Sequence, residues 1–372
     1  MVRFILLALL IAAGVWVYFF LQAAGYFLKL EAKFDGTCKP VTAAGFAGPE
    51  DLTIDAETGI AYLSGYDRRA VMGGHPAPGG IWAYNLADPA AQLVNLTPEA
   101  DAAFLPHGIS LYRAPDGKKT LFVINHGANR QSVEIFDVEP GKLTHRRTVT
   151  GPELVSPNDV VGTGPDQFFV TNDHANRDGF QRQLEDYLRL KLTTVWYYDG
   201  AKFYVALKDI GGSNGINATA NSGTLFVSAG LEQKVYVYDR NLQTGVISQR
   251  AAVDIPGYAD NIELLPDGSL LLGVHSKILD LLQNVSDPTH PSPSRIMRLT
   301  PDGRGSYTVS DVYVNLGQEI SGASTGAAYG KRLLIGDIFE TKFLDCSWPS
   351  GPEAPPPPQP ATPAPASAPP RR

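Results

Sequence analysis

Lysine and arginine never gather into a run in this sequence. With a formal charge of −7 and a pI near 5.5, the chain lacks the electrostatic footprint of a nucleic-acid binder, and that partner is set aside. No histidine follows His290, and the segment Gly322-Ala323-Ser324-Thr325-Gly326, which fits the G-x-S-x-G nucleophile elbow, leads into strand-like sequence instead of a helix. A serine-hydrolase triad needs both features, so that reading is rejected. Cysteine is nearly absent. The two present, Cys38 and Cys346, flank a long repetitive region. Their placement permits a bridge between the ends of that region in an exported protein, although two free buried thiols fit the spacing as well.

What the sequence does contain is apolar residue, 44% of 372, enough to bury one large all-β domain. An uncharged run from Phe4 to Leu21 follows Arg3 and is long enough to span a bilayer. Its bulky end, Trp16-Val17-Tyr18-Phe19-Phe20, favours a retained anchor; a cleaved signal ending at Ala23-Ala24-Gly25 is the alternative. Positive charge ahead of the run places the remainder on the periplasmic or extracellular side. The expected organisation is an anchor over 1–26, a β-domain over 27–348 and a Pro/Ala-rich tail over 349–372.

The β-domain is built on a repeat. Gly48-Pro49-Glu50-Asp51-Leu52-Thr53-Ile54 returns as Pro106-His107-Gly108-Ile109, Pro157-Asn158-Asp159-Val160, Asn214-Gly215-Ile216-Asn217, Asp260-Asn261-Ile262 and, more weakly, Ser321-Gly322-Ala323-Ser324. The copies lie roughly 45 to 60 residues apart, a solenoid or propeller period. Each is followed by an apolar second strand, among them Leu121-Phe122-Val123-Ile124 and Leu270-Leu271-Leu272-Gly273. Six copies predict a six-bladed β-propeller, with the first blade starting near Cys38. One segment departs from this pattern: Phe180, Leu184, Tyr187, Leu188 and Leu192 share a helical face, predicting an inserted amphipathic helix whose apolar side packs on the propeller or forms a lid or membrane contact.

In a propeller the starts of the innermost strands converge on the central channel, bringing Glu50, Asn158, Asn214, Asp260 and Asn261 together. Acids and amides in equivalent register suit a hard, oxygen-seeking cation such as calcium; zinc needs histidine or cysteine at short spacing, which this set lacks. Turn propensity explains any one of these residues, but poorly explains their common register. His107 and His126 lie on adjacent predicted strands at the same channel mouth, a base and orienter or a structural pair, and His275 ends the corresponding strand of the fifth blade.

Together these motifs, with Val123-Ile124-Asn125-His126 and Thr171-Asn172-Asp173-His174, resemble the paraoxonase family, calcium-dependent lactonases and arylesterases with a six-bladed propeller. The resemblance runs from the amino-terminal span to Cys346. It implies two calcium ions: a catalytic one held by Glu50, Asn158, Asn214, Asp260 and Asn261, and a structural one held by Asp51, Asp159 and the backbone oxygen of Ile109. It further implies a His107–His126 dyad that deprotonates water, a Cys38–Cys346 disulfide, a retained hydrophobic amino terminus and a membrane-facing role for the helix near 180–192. Its substrates are small lactones or esters. The chain departs from the family at Gly211-Gly212-Ser213, where an aromatic is usual and a wider or more polar pocket is expected, and at Val274, which replaces a cysteine. A regucalcin-like sugar lactonase and a non-catalytic calcium-stabilised propeller are the other readings, since fold does not fix function.

Overall fold

Leu270, Leu271 and Leu272 form a continuous apolar run because both faces of their strand are buried. Leu270 and Leu272 pack with Phe226, Val235 and Val237, whereas Leu271 joins Leu333 and Ile335 on the opposite side. Phe168 and Phe169 divide in the same way, one toward Phe122 and Ile124 and the other toward Leu225 and Val227. Successive side chains of a strand point to opposite faces, so each sheet serves two cores.

The structure, a computed structural model, describes residues 1–88, 90–127 and 130–353. Six four-stranded antiparallel sheets form the blades of a propeller. Their innermost strands are Asp51–Asp55, Pro106–Arg113, Pro157–Gly164, Ser213–Ala218, Tyr258–Leu264 and Ala323–Tyr329, each beside the next around a closed ring. An apolar cluster fills the space between each neighbouring pair of blades.

Closure differs from the expected start of blade one. Thr37–Val41, which contains Cys38, is the outermost strand of the sixth blade, paired with Phe343–Ser347 in a register that sets Cys38 opposite Cys346. These two cysteines are bonded, so the disulfide ties the strand that enters the domain to the blade that ends it. The first blade begins at Asp51. The Pro/Ala-rich tail from Ala354 onward lies outside the described residues.

Helices sit on the face where the inner strands begin. The first, α1 (Val2–Ala23), is apolar and unburied along its length, but its end is fastened to the propeller: Gln233 donates to Ala23 O at 2.8 Å and Ile278 N to Ala24 O at 3.0 Å. A short α2 (Arg68–Met72) starts where Asp67 accepts the Ala70 amide at 2.8 Å, an N-cap within the first blade's long connection. The predicted amphipathic helix is α3 (Gly179–Leu188), stopped by Arg189 in a left-handed conformation. Three of its apolar residues face largely outward, Phe180, Tyr187 and Leu188 each being more than half exposed, while Leu184 is half-buried and Glu185 is the fully buried member, accepting the amides of Ala175 and Asn176. A fourth helix, α4 (Ile278–Ser286), also lies at this mouth and was not foreseen from the sequence.

Candidate active site

Two glycines of the repeat explain how the channel can be so narrow. A Cβ on Gly108 would lie 2.5 Å from Asn158 O, and one on Gly215 would lie 2.5 Å from Asp260 O. Only glycine allows neighbouring inner strands to approach this closely. The approach brings His107 and Asn214, which precede these glycines, to the cavity wall beside Asn158 and Asp260.

Glu50, Asn158, Asn214 and Asp260 line one cavity of about 450 Å³, together with His107 and His275. Asn261 stands behind them, donating its side-chain amide to Glu50 Oε1 at 2.7 Å and to Glu50 O at 3.2 Å. Ser324, from the rejected elbow motif, donates to Glu50 O at 2.5 Å and so supports the carboxylate segment. Glu50 Oε2, Asn158 Oδ1, Asn214 Oδ1 and Asn261 Oδ1 are all buried without a hydrogen-bond partner. Among the described residues no three histidine, cysteine or acidic side chains form a metal-ligand group, because this set mixes two carboxylates with three amides.

Below Glu50 the chain turns its next carboxylate the other way. Asp51 accepts Leu52 N and, from the second blade, Ile109 N, both at 2.8 Å. Asp159 repeats the arrangement one blade pair further on, accepting Val160 N and Ile216 N at 2.7 Å. Each carboxylate thereby links two blades. Burial pushes both carboxyls well above their ordinary range, reinforced at Asp51 by Glu50 and at Asp159 by Asp51. Burial also raises Glu50 and Asp260, with Arg68 opposing at the first and His275 at the second. Such carboxyls call for positive charge nearby.

His107 and His126 meet as their strands require. His126 Nε2 is 3.0 Å from His107 Nδ1, His126 Nδ1 is 2.6 Å from Gln131 Oε1, and His107 Nε2 is 3.3 Å from Glu50 Oε2. Burial pushes both imidazoles down to about 3, aided by Arg68 at His107 and by His107 at His126. Because 15% of the His107 side chain is open to the cavity, solvent moderates that drop. With Gln131 Oε1 accepting from His126 Nδ1, His126 Nε2 is an acceptor; when it takes the proton of His107 Nδ1 the lone pair is left at His107 Nε2, and when Arg68 donates to Nδ1 instead, the proton stands at Nε2 facing Glu50. His275 Nε2 bonds Asp260 Oδ2 at 2.6 Å, and although burial opposes it, that carboxylate lifts the imidazole above its ordinary value.

Sequence reasoning missed Arg68. Its guanidinium is buried, stacked 4.2 Å from the Tyr66 ring centroid, and reaches Gly48 O at 3.0 Å, Ile338 O at 3.2 Å and His107 Nδ1 at 3.2 Å. Adjacent arginines ordinarily read as surface charge, and no local pattern marks this one as buried. Arg69 holds the same connection to Asn284 O and Oδ1 and to Phe339 O. Asn284, one of three Asn-x-Ser/Thr sites with Asn95 and Asn217, is therefore buried and fully engaged, which excludes it as a glycosylation acceptor in the folded protein.

The helices at the mouth contribute much of the cavity's apolar lining, interspersed with Gln183, Asp186, Arg189 and Gln233. Phe20 and Ala24 at the end of α1, Tyr187 of α3, and Ile278, Leu281 and Leu282 of α4 supply it. At the Gly211–Gly212 turn, Leu231 Cγ lies 3.0 Å from where a Gly212 Cβ would be, and Leu231 and Tyr258 both line the cavity. There is no free cysteine among the described residues.

A family model described as Arylesterase matches residues 50–347. Serum paraoxonase/arylesterase 2 of Bos taurus and that of Homo sapiens are each 32% identical over 301 residues, 79% of this chain and 84% of theirs. Serum paraoxonase/lactonase 3 of Homo sapiens is 29% identical over 308 residues, covering 81% of this chain and 86% of its own. Among solved structures, a luciferin-regenerating enzyme aligns with a TM-score of 0.53 at 11% identity over 85% of this chain and 97% of its own, which shows likeness of fold alone. Regucalcin of Agrobacterium tumefaciens aligns at 0.50 and 14% identity over 87% and 99%, with the same meaning. The match over nearly all of the propeller shows that the chain belongs to the arylesterase family, that of the serum paraoxonases.

Proposed function

We propose that this protein hydrolyses lactones and aryl esters with calcium, His107 activating the attacking water and His126 orienting it. The supporting observation is the group of partnerless acceptors, Glu50 Oε2, Asn158 Oδ1, Asn214 Oδ1 and Asn261 Oδ1. A buried acceptor without a partner costs about 1 to 3 kcal/mol, and four that converge with no donor among them favour a cation that completes them. An all-oxygen set fits calcium, which takes about 6 to 8 oxygen ligands. Glu50, Asn158, Asn214, Asp260 and Asn261 would hold a catalytic ion, and Asp51 and Asp159 with the Ile109 backbone oxygen a structural one. When bound, the catalytic ion supplies Lewis-acid polarisation of the ester carbonyl and charge for the oxyanion.

The chain's own residues do the proton work. As water oxygen bonds to the carbonyl carbon, its proton passes to His107 Nε2, and the Nδ1 proton is steadied by His126, itself held by Gln131. Cleavage of the ring C–O bond then releases an alkoxide that takes the proton back, giving a hydroxy acid. Phe20, Leu281 and Leu282 receive the substrate's hydrocarbon and exclude water around it.

An apolar helix of 22 residues near the amino terminus is compatible with membrane anchoring, and the disulfide belongs with an oxidising compartment. On this reading the propeller faces the periplasmic or extracellular side, and α3 turns its exposed apolar residues to the same membrane as α1, whose Phe20 lies 6.0 Å from Tyr187.

The test is a panel of aliphatic, aromatic and sugar lactones and aryl esters assayed with calcium and with excess chelator. Calcium-dependent turnover of the aliphatic and aromatic members is expected. Undiminished turnover in chelator, or turnover of sugar lactones alone, overturns the proposal.

A further inference from the structure

Arg68 has no place in the scheme above, yet it is the cation nearest to its central carboxylate. Its Nη2 lies 3.9 Å from Glu50 Oε2, too far for a hydrogen bond and close enough for strong attraction. The guanidinium cannot swing away at little cost. Two backbone carbonyls from different segments, Gly48 O and Ile338 O, take its Nη1, the Tyr66 ring covers one face, and its side chain is 6% exposed. It does not line the cavity, so it does not touch substrate.

We infer that Arg68 is a positioning residue: a built-in counter-charge that holds Glu50 and His107 in place when the upper cation site is empty and keeps that site's calcium affinity below that of the deeper Asp51–Asp159 site. The inference rests on the proposed assignment of calcium to Glu50. A guanidinium donates and never accepts, so its contact at His107 Nδ1 competes with the His107–His126 hydrogen bond for the same atom. Its charge is also of the same sign as any cation Glu50 binds. Even screened by a partly polar surrounding, repulsion between a fixed unit charge and a divalent ion that share one carboxylate amounts to at least about tenfold in affinity. Asp51 turns away from Arg68 and is held by backbone amides, so the deeper site is largely spared.

Calcium titration by calorimetry, on full-length protein stripped with chelator, reads this directly. The wild-type protein is expected to show two binding events, and R68M to tighten the weaker by about tenfold or more while leaving the tighter within about threefold. R68K, which keeps the charge on a chain that cannot fork between two carbonyls and His107, is expected to keep the weak affinity but to lower kcat more than it changes KM. An unchanged or weakened upper site in R68M overturns the inference while calcium dependence stands; absence of any second binding event in wild-type protein overturns the functional reading as well. Should R68M be too unstable to isolate, tightening of the weaker event in R68K overturns the charge argument on its own.

Discussion

Asn261 donates its side-chain amide to Glu50 Oε1 at 2.7 Å, and this single bond orients both residues so that Asn261 Oδ1 and Glu50 Oε2 are left buried and free. An amide with its nitrogen committed to a carboxylate must present its oxygen elsewhere. The ligand set is thus prepared by hydrogen bonding before any ion arrives. Asn261→Asp would set two carboxylates face to face; its chelator-stripped form is expected to melt lower than the stripped wild type, with calcium restoring the difference, as scanning calorimetry would show.

Glu50 and Asp51 are neighbours in the chain with separate tasks. Glu50 reaches the cavity, whereas Asp51 joins blades one and two through Ile109 N. Glu50→Gln is expected to reduce lactone hydrolysis by at least about a hundredfold with a small change in stability. In calcium-loaded protein, where an ion would offset the burial of this carboxylate, Asp51→Asn should cost about 2 to 4 kcal/mol of stability, since hydrogen bonds to a charged group contribute roughly 1.5 to 3 kcal/mol each. Urea unfolding beside initial rates separates the two, and equal effects on both properties would contradict the division.

His107→Gln and His126→Gln should differ in degree. Loss of the group that receives the proton lowers kcat by about 10² to 10⁴, and loss of its orienting partner by less. Circular dichroism should be unchanged in both. A His126 variant as impaired as the His107 variant would make the two residues one unit.

The pH dependence of the α3 region follows from His174. It bonds Asp173 Oδ1 at 2.8 Å and, on α3, Asp186 Oδ1 at 3.0 Å. Burial opposes its charge, but the two carboxylates win and raise it to about 9. A folded pKa above the unfolded value near 6.5 means the contribution is complete below about pH 6.5 and is lost as pH rises through about 9. Limited proteolysis within 175–192 is therefore expected to accelerate between pH 7 and 10, and His174→Gln should abolish that dependence.

Replacing Cys38 and Cys346 by serine removes the covalent closure of the ring. The strand Thr37–Val41 still pairs with Phe343–Ser347, so the domain should fold, at a loss of about 2 to 5 kcal/mol measured by denaturant unfolding.

Spacing and residue type were enough to predict six blades, because every blade must begin its inner strand with a loop at the channel and follow it with a strand buried on both faces. The same logic brought Glu50, Asn158, Asn214 and Asp260 to one cavity and His107 to His126, since equivalent positions in equivalent blades share a radius and a depth. Strand periodicity carries that information locally.

Contacts that fall outside the equivalent positions of the repeat were not legible. That Cys38 belongs to the last blade depends on how the ring closes, and no local pattern records it. The outward apolar face of α3 depends on Glu185 being captured by the amides of Ala175 and Asn176, which reverses the side that amphipathicity alone would bury. Arg68 is the clearest case: an arginine beside another arginine reads as solvent-facing charge, and only the convergence of Gly48, Ile338, His107 and Glu50, drawn from three blades, makes it a buried one. Periodicity determines which way a side chain points within its own strand, whereas its partners across the channel exist only once the six sheets are assembled.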